Sequence, residues 1–310
     1  MCKDPLKNSS FHFRTIDKSR ASEGLTSFAS GDLCHRPVAR ACPGFMRYQI
    51  DHLSVFAVLC AFAVQLSALL CHWSWYAVLA IIPLARWVTL VEHNHAHLPI
   101  FYSRVLNELL GWICQLCNGI PLEFYRVHHV HNHHRYNNRY DASGKDWSSL
   151  FGFKQSRYPG RPISRWYYTL TFPVITACSC LLWLLRSPGS RTTRRFATAT
   201  GVTCFGSLAL AWLNGTGFLV FFVLPWALVA FGHGWNNYEH HEGCDITQPY
   251  SSANEHLSLF SRSLGFNIGY HVEHHLKPNL HWSLLPAFHR KICHRIPPER
   301  FRYSVRLWPS

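Results

Sequence analysis

Six apolar segments punctuate the chain, at about residues 53–71, 73–91, 104–121, 168–185, 196–213 and 217–232. A helix that crosses a bilayer needs about 20 mostly apolar residues. The first two segments approach that length, and residues 71–75 between them form a short turn. The last two are joined by Asn214-Gly215-Thr216-Gly217, a strong turn signal. Each pair therefore predicts a transmembrane hairpin. Segment 104–121 differs, because Asn107, Glu108, Gln115 and Asn118 interrupt it; that suits an interfacial or re-entrant helix. Segment 168–185 is more apolar, but it carries Pro173 and runs into the arginine-rich stretch 186–195. The expected architecture is an all-α integral membrane protein. It has four transmembrane helices in two hairpins, two interfacial helices and a cytosolic histidine-rich cap. Six crossings, with the histidines divided between the two sides, is the alternative.

Charge supports the four-crossing arrangement. The chain carries 30 Lys and Arg against 16 Asp and Glu, a net charge of +14. Residues 1–51 hold 8 of the basic residues, 93–195 hold 13 and 233–310 hold 8; Arg86, inside a predicted helix, is the last. Neither hairpin tip, near 72–74 or 214–217, contains Lys or Arg. Cytoplasmic loops concentrate Lys and Arg. Both termini and all the long loops are thus expected on the cytosolic side, and the basic charge is accounted for without nucleic acid. Only 15% of residues are charged, low for a soluble domain. The twelve cysteines are scattered, and Cys114-x-x-Cys117 has no second such pair. Neither a disulfide framework nor a zinc ribbon follows, and a reducing compartment does. Residues 1–45 are polar and lack an apolar signal core. They read as a disordered extension, or as a mis-assigned start with Met46 opening the folded part. Asp4, Asp17, Glu23 and Asp32 argue against a transit peptide.

The 22 histidines change the picture most. Four clusters sit at the predicted cytosolic ends. In His93-Asn-His-Ala-His97, the i, i+4 pair His93 and His97 shares a helical face while His95 points elsewhere. The second cluster is His128-His129-Val-His131-Asn-His133-His134, in which His129, His133 and His134 have the spacing His-x-x-x-His-His; His128 and His131 are rivals there. The third is Asn236-Asn-Tyr-Glu-His240-His241, and the fourth is His271-Val-Glu-His274-His275. The candidate ligands are His93, His97, His129, His133, His134, His240, His271, His274 and His275. A catalytic zinc uses about three protein ligands. Nine suit two six-coordinate ions with open positions, and imidazole suits iron. Only Glu92-x-x-His95 has the spacing used by soluble carboxylate di-iron proteins, so that class is disfavoured. Glu92, Glu239 and Glu273 each adjoin a candidate ligand and are candidates to orient the imidazoles and balance their charge.

These motifs resemble the membrane fatty acid desaturase/hydroxylase superfamily, with its three histidine boxes. Phe266-Asn-Ile-Gly-Tyr-His-Val-Glu-His-His275 is similar to the third box of sphingolipid-type desaturases. The second box and Asn236-Asn-Tyr-Glu-His-His-Glu-Gly243 are closer to alkane monooxygenases. The resemblance covers about residues 50–300 and makes 46–310 the desaturase-like domain. It implies two iron ions, O2 as co-substrate and a fatty acid or acyl lipid substrate. It also places Asn236 where an additional, water-mediated iron ligand occurs. The extra histidines of the second box and the His-Asn-His-Ala-His first box depart from the family pattern.

Acyl desaturation in lipid metabolism is the leading expectation. Hydroxylation, or oxidative decarboxylation to a terminal alkene, is the enzymatic rival. A histidine-rich metal transporter is the non-enzymatic one, but it would place its ligands near the bilayer midplane. The aromatic-rich segments 166–168 and 218–226 suit an acyl tail, and equally an interfacial aromatic belt. No Gly-rich dinucleotide fingerprint or fused haem domain appears. A separate electron donor is therefore expected: a ferredoxin, a rubredoxin or a small b-type cytochrome. Arg290, Lys291 and Arg295 would steer it, or would hold an anionic membrane surface.

Overall fold

The computed structural model describes residues 44–152 and 156–302. The expected disordered extension lies outside the described residues, apart from Gly44 and Phe45. At that boundary the backbone is already tied down: the Tyr102 N–H donates to the Phe45 carbonyl (3.0 Å) and the Arg47 N–H to the Ile100 carbonyl (2.8 Å).

Helices α1 (His52–Leu70) and α2 (Val78–His97) form the first hairpin. Their shared face is built from small and β-branched residues, among them Ala57, Val58 and Ala61 against Val88 and Val91. Small side chains let two helices approach closely in an apolar solvent. The outward positions Leu53, Phe56, Leu59 and Leu79 are exposed, as a lipid-facing surface requires. Helix α3 (Arg104–Asn118) starts at the histidine end and runs into the bundle. There Gln65 Nε2 donates to the carbonyls of Cys117 (3.0 Å) and Phe221 (3.1 Å), and Trp226 Nε1 donates to that of Leu116 (2.9 Å). The bonds to Leu116 and Cys117 satisfy carbonyls of the last turn of α3 that would otherwise be orphaned. Gly119, at φ 74°, reverses the chain against Trp226, where a Cβ would lie 2.5 Å from the indole ring. Helix α4 (122–136) then climbs back to the histidines.

The second hairpin is α6 (Arg191–Leu213) and α7 (215–241). Asn214 makes its turn. Its side-chain oxygen accepts from the Gly217 N–H (2.8 Å), and its amide donates to the Leu69 carbonyl of α1 (3.0 Å). The two hairpin tips therefore meet at one end of the bundle, and the histidines gather at the other.

Helix α5 (Arg165–Arg186) covers the fourth apolar segment. At 22 residues it is long and apolar enough to cross a membrane, which makes five such helices among the described residues. Both of its ends nevertheless make contacts toward the histidine end, while its middle faces the 119–121 turn and Ala230. Arg165 pairs with Glu239 at the end of α7 (2.8 Å). Cys180 and Leu184, near the other terminus, pack on Phe124, Val127 and Phe196 at the start of α6. Gly234 brings α5 against α7, since a Cβ there would lie 2.8 Å from the Thr169 carbonyl. A short hairpin pairing Tyr140 with Lys145, together with helices α8 (His271–Leu276) and α9 (Leu285–Ile292), closes this end.

Candidate metal centre

Four helices deliver the imidazoles, each by its own periodicity. On α2, His93 and His97 lie one turn apart. On α8, His271 and His275 lie one turn apart, and His274 is rotated away from them. Helix α4 is π-helical over Tyr125–His133, and the His134 N–H bonds to the His129 carbonyl five residues back. The wider turn sets His129 and His134 on one face, their rings edge to face, and turns His133 to the other side. Single π turns inside helices recur at functional sites.

The result is two abutting groups. In the first, His93, His97, His129 and His274 present ligand nitrogens within 4.8 Å of one another. His134 joins them, its Nε2 lying 3.1 Å from His129 Nε2 and 2.9 Å from His274 Nε2. In the second, His133, His241 and His275 converge in the same way. His133 and His241 are 3.1 Å apart at Nε2, and His271 Nε2 reaches His241 at 3.4 Å. The groups touch through His134 and His275, whose ring centroids are 4.6 Å apart.

This donor set fits metal ions. Imidazole nitrogens about 2.1 Å from one ion, on adjacent octahedral positions, lie about 3.0 Å apart. The short Nε2 separations have that length. His97 and His275 bury ring nitrogens that have no hydrogen-bond partner, an arrangement costly without a ligand. Burial, and then repulsion among neighbouring imidazoles, holds His129, His134, His271, His274 and His275 well below the usual histidine range. They are neutral at pH 7, the form that binds metal.

The structure places the remaining candidates differently. His240 is outside both groups; it stacks on His271 with centroids 3.9 Å apart, and its Nδ1 faces the Asn254 carbonyl (3.5 Å). His241 occupies the inward position instead. Adjacent helical residues differ by about 100° in direction, so only one of the pair points inward. Asn236 lines a small cavity beside His93, His240 and His271. His95 is used structurally, bridging the Asn107 carbonyl and the Ile100 N–H. His128 packs near Trp147 and Phe172, and His131 points outward.

The three acids are engaged elsewhere. Glu92 accepts from Asn118 Nδ2 (2.6 Å), Glu239 pairs with Arg165 (2.8 Å), and Glu273 meets His289 Nδ1 (2.7 Å). The acid that does orient a clustered imidazole is Asp146. Its Oδ2 accepts from His133 Nδ1 (2.8 Å) and from the Asn138 N–H (2.7 Å). Burial by itself would raise the Asp146 carboxyl, but the His133 charge and hydrogen bond, with that of Ser148, outweigh it and hold the group below its usual range. This is the second-layer carboxylate that metal-binding histidines use. Asp146 sits in a polar loop 13 residues after His133, where no periodicity marks it. Only its scarcity as an acid in a basic chain was a signal.

A bundle of five lipid-length helices closed at one end by two imidazole groups that could each hold a metal ion has the build of a multi-pass membrane protein. The fatty acid desaturase family matches residues 53–306, and the chain belongs to that family. No curated protein and no solved structure matches it.

Proposed function

We propose that this protein is a membrane-bound, O2-dependent acyl-chain desaturase holding two iron ions. The observation that carries the proposal is the contact of two all-imidazole groups beside a small cavity that shares part of its wall with an apolar groove. The groove has a volume of about 470 Å³ and runs between α2 and the 256–269 loop, past Leu84, Trp87, Phe260 and Leu264. It shares Leu90, Asn236, His240 and Ile268 with the small cavity that reaches His93, His129 and His271.

His93, His97, His129, His134 and His274 hold one ion; His133, His241, His271 and His275 hold the other. When bound, the pair of irons supplies the reduction of O2 and an oxidant able to attack an unactivated C–H bond. The protein does the rest. Asp146 holds the Nδ1 proton of His133 and so aims its Nε2 lone pair into the site. The Ser252 carbonyl does the same for His241, at 3.2 Å from its Nδ1. Leu90 and Ile268 line the cavity and exclude water from the reacting chain. Asn236 is placed to hold a water at its edge.

The topology proposed is four crossings, α1, α2, α6 and α7, with α3 re-entrant and α5 lying across the histidine end in the cytosolic leaflet. The contacts of both α5 ends at that level support it, as does the charge partition. Reducing electrons come from a separate acidic carrier docking on the basic surface near Arg290, Lys291 and Arg295. Hydroxylation and terminal-alkene formation use the same centre. Mass spectrometry of products from a host fed fatty acids of several lengths, with iron counted on the purified protein, tests the assignment. Active protein with one iron per chain, or with stoichiometric zinc, would overturn it.

A further inference from the structure

We propose that Arg86 anchors a substrate carboxylate, so that the enzyme takes unesterified fatty acids rather than acyl thioesters or glycerolipids. The inference rests on the acyl-oxidising function above and adds the chemical class of the substrate.

Arg86 lies within the apolar span of α2, eight residues from Val78 and seven before His93. Its buried Nη1 has no hydrogen-bond partner, and no ion pair reaches the side chain among the described residues. A charge within a membrane span is costly and is found paired or in a functional pathway. Among the described residues Arg86 has no paired acid. Of the acids nearest in sequence or in the groove, Glu92 accepts from Asn118 through Oε2 and Glu239 pairs with Arg165; neither forms an ion pair with Arg86. Tyr125, which lines the same small cavity, has its hydroxyl on His233 Nδ1 (3.1 Å).

Arg86 also lines both spaces that a substrate would fill, the apolar groove and the small cavity reaching His93 and His129. The missing counter-charge is therefore expected on the ligand. A guanidinium matches a carboxylate with two parallel hydrogen bonds. A phospholipid phosphate stays at the interface and does not reach the middle of α2. Leu84, Trp87, Phe260 and Leu264 wall the outer side of the guanidinium–carboxylate pair, and the tail runs from Arg86 into the small cavity beside Leu90 and Ile268. Seven residues of helix separate Arg86 from His93, about 10 Å of axial rise. A chain pinned at Arg86 consequently meets the metal groups with carbons that lie well along the chain, not with those next to its carboxylate.

The test uses the full-length, iron-loaded protein in lipid nanodiscs. Binding of a long-chain fatty acid and of its methyl ester is measured for the wild type, Arg86→Gln and Arg86→Lys. The wild type is expected to prefer the acid by about 10- to 100-fold, the range of a buried charge-assisted pair. Arg86→Gln should lose that preference while binding the ester unchanged, and Arg86→Lys should keep part of it. Equal iron content across the three shows that the fold survives; if Arg86→Gln loses iron, the wild-type ratio and Arg86→Lys decide. Equal binding of acid and ester by the wild type, or an acid preference surviving in Arg86→Gln, overturns the proposal. If the acid is preferred through Arg86 but no acyl substrate yields an oxidised product, the carboxylate site stands and the enzymatic function falls.

Discussion

Single side chains decide which imidazoles face the metal. His240 and His241 are neighbours of equal chemistry, and their helix turns only one of them inward. His241→Ala is expected to lose roughly half of the bound iron and all turnover, whereas His240→Ala keeps its iron; metal analysis of the two purified variants checks this. Asp146→Asn keeps the shape but removes the charge that holds His133. It should weaken metal binding about 10- to 100-fold, as losses of such supporting carboxylates do; competition with a graded chelator measures it. His128 carries a pH signature. Burial, against some support from Asp146, pushes its pKa down to about 4, while an unfolded histidine titrates near 6.5. Between those values the unfolded chain takes up a proton that the native chain refuses. Stability therefore falls as pH falls through that window and is flat above it. Melting temperatures of the solubilised protein from about pH 7.5 to about pH 4.5 should show this decline, with iron release alongside. A melting temperature that stays constant or rises on acidification contradicts it.

At the scale of elements, α4 and α8 solve one geometrical problem in two ways. Helix α8 splits its histidines with an ordinary α turn: His271 and His275 go to one group, and His274 goes to the other. Helix α4 has one residue more between its first and last histidines, and the π turn absorbs it, so that His129 and His134 still share a face. It follows that the extra residue is dispensable. Deleting the outward-pointing His131 should let α4 revert to an α turn and keep both irons. Inserting an alanine after Val130 should displace His133 and His134 and lose iron with little change in helicity. Iron content and circular dichroism of the two variants separate these outcomes. Equal iron loss in both would show that the π turn is not the compensating device.

For the whole molecule, the proposed topology has four of the five apolar helices crossing. Helix α5 has a crossing helix's length and composition, but its partners at both ends, Glu239 on one side and Phe124 and Phe196 on the other, lie at the level of the histidines. Reporters fused after residues 145 and 190 are therefore expected on the same side of the membrane as one after residue 50. A reporter after 190 on the opposite side would show that α5 crosses.

Much of this protein was legible along the chain. The hairpin pairs, their turns and the histidine spacings are local properties, written in hydropathy and in residue separation. The family resemblance rested on them too. Eight of the nine imidazoles that converge were named from spacing, because i, i+3 and i+4 on a helix are fixed by its pitch. What stayed hidden depends on rotation and on distant packing. Choosing His241 over His240 needs the absolute rotation of α7, which its contacts with α5 and the 252–254 segment set. Asp146 reaches His133 only because a loop folds back over α4. Arg86 looked like an isolated charge in an apolar run until tertiary structure placed it, without an acid partner, on both the groove and the cavity. Local pitch is encoded in consecutive residues; the rotation of one helix against another is decided by side chains far apart in the chain, and only the folded molecule brings them together.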